Sequence, residues 1–110
     1  MNYEVHLTRT AREDLNEAAD YIEYELMNPQ AADEFLVSAN DTLSSLKQFA
    51  QRYSLVEDPV LRALGIRFVR IKKFLAFYVI AESERKVHIV RVLYERRNWI
   101  DLLAEGYTLN

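Results

Sequence analysis

Residues 74–81 are eight consecutive apolar residues, and no charged side chain interrupts them. A segment of this length that is apolar on both faces has to be covered on both sides, which predicts the central strand of a sheet. A second mostly apolar segment, 86–94, follows a polar loop at Ser83, Glu84 and Arg85, and a further β-type segment at 65–71 precedes it. The three segments predict an antiparallel meander.

The first half of the chain predicts a strand and two helices. Residues 2–8 alternate between polar and apolar side chains, which indicates a half-buried strand. Thr10 and Glu13 have the spacing of a capping box, and apolar residues then recur every three or four positions, so we expect a helix over about 10–27. Asn28 is a good N-cap and Pro29 fits the first helical position, so a second helix is expected over about 29–49.

Residues 50–64 are expected to be irregular, with a turn at Asp58 and Pro59, and a short helix is expected between Trp99 and Gly106. The resulting order is β-α-α-β-β-β-α. It predicts an α+β fold with an N-terminal strand, a two-helix hairpin, a three-stranded antiparallel meander that completes one sheet, and a short C-terminal helix. The length of 110 residues suits one domain, 1–110.

The net charge of −3 conceals an uneven distribution. Residues 1–55 carry four basic and ten acidic side chains, whereas residues 56–110 carry ten basic and seven acidic ones. One stretch combines five cations with no acid: Arg62, Arg67, Arg70, Lys72 and Lys73. Such a run can protect a strand edge against aggregation, or it can bind an anionic partner, and the residue types alone leave both readings open.

Several kinds of chemistry have no support in the sequence. The chain has no cysteine, and His6 and His88 lie on separate predicted strands without further ligands at suitable spacing, so we expect neither a metal site nor a cofactor. No serine stands in a strand-to-helix elbow, so Ser-His-Asp catalysis has no support. The acidic residues follow helix surfaces, where such spacing indicates a solvent-exposed face and not a catalytic carboxylate pair. Neither a signal peptide nor an apolar run of about 20 residues is present, so we expect a cytoplasmic protein with no membrane partner.

A candidate binding surface combines the basic residues of 62–73 with a polar cluster at the end of the last predicted strand. Adjacent antiparallel strands can bring the two stretches to one end of a sheet. Arginine binds phosphate through two parallel hydrogen bonds and aromatic rings stack on bases, so the surface would suit RNA, DNA or an acidic protein segment. Trp99 can instead anchor the last helix, and Tyr94 can belong to the core. The cluster comprises Arg91, Tyr94, Arg96, Arg97, Asn98 and Trp99.

Two segments resemble toxins of the RelE/ParE superfamily, the toxin half of bacterial type II toxin–antitoxin pairs. The stretch from Gly65 to Ile80 is similar to the central strand pair of that family, with an arginine, a short apolar segment, a basic turn, an aromatic residue and an apolar run. The segment from Val90 to Trp99 is similar to its closing signature, an apolar strand that runs into a Tyr-x-Arg-Arg turn. The order of elements agrees with the family's layout over nearly the whole chain.

The resemblance implies a protein that inhibits growth and contributes to plasmid stabilisation. It also implies a cognate antitoxin that neutralises the protein by forming a toxin–antitoxin hetero-oligomer with it. ParE-like members poison DNA gyrase, whereas RelE-like members cleave mRNA on the ribosome without a metal. A nuclease would use Arg96 and Arg70 as catalytic residues. Leu75 and Leu102 occupy positions where nucleases of the family carry catalytic groups, so we favour the gyrase branch. A catalytically inactive binding module of the same fold is a further alternative.

The residues that we expect to contact the target or the antitoxin combine the two stretches. They are Arg67, Arg70, Lys72, Lys73, Arg91, Tyr94, Arg96, Arg97, Asn98 and Trp99.

Overall fold

The computed structural model describes residues 2–110 and contains one four-stranded sheet. The strands are β1 (Glu4–Leu7), β2 (Arg67–Ile71), β3 (Phe74–Ala81) and β4 (Lys86–Tyr94). Their order across the sheet is β1-β4-β3-β2. Strands β2, β3 and β4 form the antiparallel meander that the sequence predicts, and β1 joins it parallel to β4. The α+β fold class is confirmed.

Within residues 2–110, four α-helices accompany the sheet: α1 (Arg9–Asp20), α2 (Pro29–Ser44), α3 (Pro59–Ala63) and α4 (Trp99–Ala104). A π-helical turn (Tyr21–Glu25) extends α1, and a 3-10 turn (Ser45–Lys47) extends α2. Two more 3-10 turns lie at Ala50–Arg52 and Glu82–Glu84. No helix within residues 2–110 has the length and apolar character to cross a membrane.

The start of α1 differs from the prediction. Its N-cap is Thr8, not Thr10, and the Thr8 hydroxyl accepts a hydrogen bond from the Ala11 N–H while donating one to the Ile89 carbonyl. The Thr8 N–H also donates to the Ile89 carbonyl, so the single residue between β1 and α1 both bonds to β4 and caps the helix. This leaves no loop between the strand and the helix.

The expected irregular segment also contains a helix. Asp58 caps α3 by accepting a hydrogen bond from the Leu61 N–H, and Pro59 occupies the first turn. This is the arrangement that Asn28 and Pro29 form at the start of α2. The prediction of a turn at Asp58 and Pro59 is therefore wrong, because the pair starts a helix. The predicted end of α4 is confirmed, since Gly106 follows it with a φ of +107° and donates to the Leu103 carbonyl.

Strand β3 is covered on both faces, as its composition requires. On one face, Ala76 and Tyr78 belong to a core that the sheet forms with α1 and α2. On the other, Leu75 and Phe77 pack in a second core under α3 and α4. The pairing of β3 with β4 shifts register between Phe77 and Tyr78, and both of these side chains are fully buried.

Candidate functional site

The pairing of β2, β3 and β4 brings the two predicted basic stretches to the same end of the sheet. Phe74 pairs with Ile71 on one side and with Tyr94 on the other. The β2–β3 turn, Lys72 and Lys73, therefore lies beside the turn that follows β4. The backbone N–H of Glu95 donates to the Lys73 carbonyl at 2.9 Å and joins the two turns directly. The predicted juxtaposition of the two stretches is confirmed.

Four exposed cations and one half-exposed tyrosine form what we call the cationic end. Tyr94 is 40% exposed and packs its ring edge-on against Phe74 at a centroid distance of 5.7 Å. None of the four cations forms an ion pair within residues 2–110, so their positive charge is not neutralised by a neighbouring carboxylate. The cationic end comprises Lys72, Lys73, Tyr94, Arg96 and Arg97.

Arg70 lies beside this end but its charge is paired. Its guanidinium forms an ion pair with the Glu95 carboxylate, and both side chains are partly exposed to solvent. An ion pair this exposed contributes little to folding stability. The pair does lower the net positive charge that Arg70 adds to the surface, and it engages one guanidinium nitrogen, Nη1.

Arg67 holds the chain that precedes β2 against the sheet. Its guanidinium donates to the carbonyl oxygens of Gln51 at 3.1 Å and Tyr53 at 2.7 Å. The Tyr78 hydroxyl supports the same segment by donating to the Ala50 carbonyl at 2.6 Å. Burial raises the pKa of Tyr78 to about 12, and the nearby Arg67 charge opposes that rise. The contacts of Arg67 are those of a structural residue.

Arg91 is also engaged in the fold, at the point where β1 ends and leaves the edge of β4 uncovered. Asp14 of α1 takes the place of a strand there, because its Oδ2 accepts a hydrogen bond from the Val92 backbone N–H at 2.9 Å. The Arg91 Nε donates to the same oxygen at 2.8 Å, and Nη2 donates to Oδ1 at 3.1 Å. The hydrogen bond to Asp14 raises the pKa of Arg91. Arg91 therefore binds α1 to the sheet and does not belong to the cationic end.

The last two predicted residues, Asn98 and Trp99, start α4. The Trp99 ring packs on Phe77 at a centroid distance of 5.0 Å and is part of the second core, so it anchors the helix. The Asn98 amide donates to the Asp101 carboxylate at 2.7 Å. Of the ten predicted binding residues, five make up the cationic end and the other five are held by contacts within the fold.

The two histidines lie next to each other, contrary to the sequence interpretation, which placed no second histidine near either. The parallel pairing of β1 with β4 puts His6 opposite His88, with ring centroids 5.4 Å apart. The His6 Nε2 contacts the Leu109 carbonyl at 3.0 Å. His88 is buried and its Nδ1 has no hydrogen-bond partner within the described chain. No cluster of three or more potential metal-binding side chains occurs among residues 2–110.

The histidine pair predicts a pH-dependent stability. Burial lowers the pKa of His88, and the nearby His6 lowers it further. Because the folded protein favours neutral His88, this contribution to stability is present above the ordinary histidine pKa of 6.5 and is lost as the pH falls below it. We expect the free energy of unfolding, measured by urea denaturation, to fall between pH 7.5 and 5.5, and to fall less in His88→Gln. An equal pH dependence in the variant and the wild type would contradict this assignment.

One family model matches most of the chain, and two solved structures share its fold. The family model described as the ParE toxin of the type II toxin–antitoxin system parDE matches residues 5–99. A chain from the chromosomal ParDE system of P. aeruginosa is similar in structure, with a TM-score of 0.68 and 21% identity, covering 84% of this chain and 95% of that one. A chain of the RelBE2 toxin–antitoxin complex from Mycobacterium tuberculosis has a TM-score of 0.53 and 21% identity, covering 86% and 99%. No curated protein matches the sequence.

Proposed function

Because the chain belongs to the ParE toxin family of type II toxin–antitoxin systems, we propose that it arrests growth by inhibiting DNA gyrase in the cytoplasm and that a cognate antitoxin neutralises it. The resemblance to ParE-like toxins implies gyrase as the target. In this proposal the chain acts by binding, without a catalytic site of its own.

The state of the arginines is the observation that carries the choice of gyrase over mRNA cleavage. A nuclease needs positive charge on the reacting phosphate and a group that takes the proton from the attacking hydroxyl. Arg70, one of the two catalytic candidates, is paired with Glu95, whose carboxylate offsets its positive charge. Arg96 remains exposed. His88 is a residue type that could take that proton, but it lies six residues before the end of β4. That spacing places it about 20 Å along the strand from the cationic end.

The two positions at which family nucleases carry catalytic groups support the same choice. Leu75 is buried in the second core, and Leu102 packs against that core from α4. Both side chains help to hold α4 on the sheet. A charged group in place of Leu75 would have to be accommodated in an apolar environment, which is costly.

The nuclease activity is the second candidate, favoured by the cationic end itself. Lys72, Lys73, Arg96 and Arg97 are exposed next to Tyr94, and such a group can bind a phosphate backbone with a base stacked on the ring. An inactive binding module would use the same surface for a protein partner.

The cationic end is the proposed site for the antitoxin. Both structural relatives are toxin–antitoxin systems by their descriptions, which supports an antitoxin as the partner. Four unpaired cations around one tyrosine suit an acidic segment with an apolar or aromatic side chain. The two proteins would then form a hetero-oligomer in which this surface is covered.

Growth of a bacterial host tests the proposal together with the cationic end. Expression of the wild-type chain should arrest growth, and co-expression of the antitoxin from the adjacent gene should restore it. The Lys73→Glu, Arg96→Glu variant should bind that antitoxin at least about tenfold more weakly, with a smaller dependence on salt. Normal growth at confirmed expression of folded wild type would contradict the toxin assignment.

The matched control is Arg12→Glu, Lys47→Glu, which makes the same change in net charge at two exposed positions outside the cationic end. We expect it to bind the antitoxin as the wild type does. If both variants lose affinity equally, the effect comes from net charge and not from the cationic end.

A further inference from the structure

The π-helical turn that extends α1 and the short loop after it carry four large apolar side chains on their surface, which we call the hairpin tip. They are between 54% and 83% exposed and fall within seven residues of sequence. Surface clusters of this kind on a small protein mark binding sites more often than chance. The hairpin tip comprises Tyr21, Tyr24, Leu26 and Met27.

Hydrogen bonds hold the hairpin tip in one conformation. The Leu26 N–H donates to the Tyr21 carbonyl, and the Asn28 N–H donates to the Ile22 carbonyl, each at 3.1 Å. The Ile22 side chain packs against the core that the sheet forms with α1 and α2, and the Asn28 side chain caps α2. Met27 has a φ of +51°, in the left-handed region that favours glycine. The apolar side chains are thus presented on a fixed turn, which lowers the entropic cost of binding.

The charge around the hairpin tip selects the partner. Residues 13–46 contain nine acidic side chains and no lysine, arginine or histidine. Asp14 is paired with Arg91, and none of the other eight carboxylates forms an ion pair within the described residues. The eight are Glu13, Glu17, Asp20, Glu23, Glu25, Asp33, Glu34 and Asp41. A nucleic acid would be repelled by this surface, and so would the acidic segment that we propose for the cationic end.

We infer that the hairpin tip docks into an apolar cleft rimmed by lysine and arginine on the protein target. This inference rests on the proposed function. A DNA-handling enzyme carries such cationic surfaces because it binds phosphates, and the helical hairpin combines the matching negative charge with apolar side chains that supply contact area. The toxin then uses opposite charges for its two partners, the cationic end for the antitoxin and the acidic hairpin for the target.

Variants at exposed positions test the inference with purified DNA gyrase as the probe. Tyr24→Ser, Met27→Ser removes apolar contact, and Glu23→Lys, Glu25→Lys reverses charge. Each should weaken gyrase inhibition at least about tenfold, the scale of losing central contacts. The matched controls are Val60→Ser, Leu64→Ser on or next to α3 and Glu4→Lys, Glu57→Lys, which makes the same change in net charge at two exposed positions outside the hairpin, and both should inhibit as the wild type does. Thermal unfolding checks that every variant is folded, and antitoxin binding should be unchanged in all of them.

The possible results separate this inference from the proposed function. If the wild type has no effect on gyrase, the proposed function fails, and the inference fails with it. If the wild type inhibits and the tip variants inhibit equally well, only the docking site is wrong. Loss of antitoxin binding with gyrase inhibition retained would assign the hairpin tip to the antitoxin and overturn the inference. A wild-type dimer that the tip variants dissociate, again with inhibition retained, would assign it to self-association and overturn the inference as well.

Discussion

We expect the Asp14→Ala substitution to lower the free energy of unfolding by about 3 kcal/mol, the usual scale when one partner of a buried ion pair is removed. The Asp14 side chain is 7% exposed and that of Arg91 is 18% exposed, so the guanidinium would remain in a largely dry site without its partner. The Val92 backbone N–H would lose its acceptor as well. Both losses act at the uncovered edge of β4.

Chemical denaturation measures this effect, and two variants separate its parts. Asp14→Asn keeps an oxygen that can accept from the Val92 N–H, so it should cost less than Asp14→Ala. Glu13→Ala removes an exposed carboxylate from the neighbouring position on α1 and should change the free energy of unfolding by no more than about 0.5 kcal/mol. If Asp14→Ala were as mild as Glu13→Ala, Asp14 could not be the residue that fastens α1 to the sheet.

Local patterns in the sequence predicted the meander well. The bounds of β3 and β4 agree with the segments 74–81 and 86–94, because a central strand and a polar turn leave clear signals in their own residues. The start of α2 at Asn28 and Pro29 was also predicted, whereas the start of α1 was not. Thr8 and Thr10 are both plausible caps, and only the contact with Ile89, which is far away in sequence, distinguishes them.

Pairings between distant residues could not be predicted in the same way. The parallel pairing of β1 with β4 brings His6 beside His88, and neither segment contains a signal for that neighbour. The Arg91–Asp14 contact likewise joins residues 77 positions apart. Residue type alone does not distinguish an arginine that anchors the fold from one that is exposed for binding, so the predicted binding set contained both. The absence of any cation from 13–46 was visible in the sequence and could have pointed to the hairpin as a second surface.

The central claim is that the chain inhibits DNA gyrase, and an assay with purified components tests it most directly. Incubation of the chain with DNA gyrase, relaxed plasmid and ATP should stall supercoiling and let cleaved DNA accumulate, and the antitoxin should reverse the effect. In a translating ribosome system the same preparation should leave mRNA intact, because Arg70 is paired with Glu95 and because Leu75 and Leu102, which pack in the second core, supply neither an acid nor a base.

The opposite outcome is equally clear. Cleavage of mRNA at the A-site codon with gyrase unaffected, and a loss of about 10²-fold in that cleavage on Arg96→Ala, would identify Arg96 as a charge stabiliser of a nuclease. That pair of results would contradict the account, whereas stalled gyrase with intact mRNA is the result it predicts.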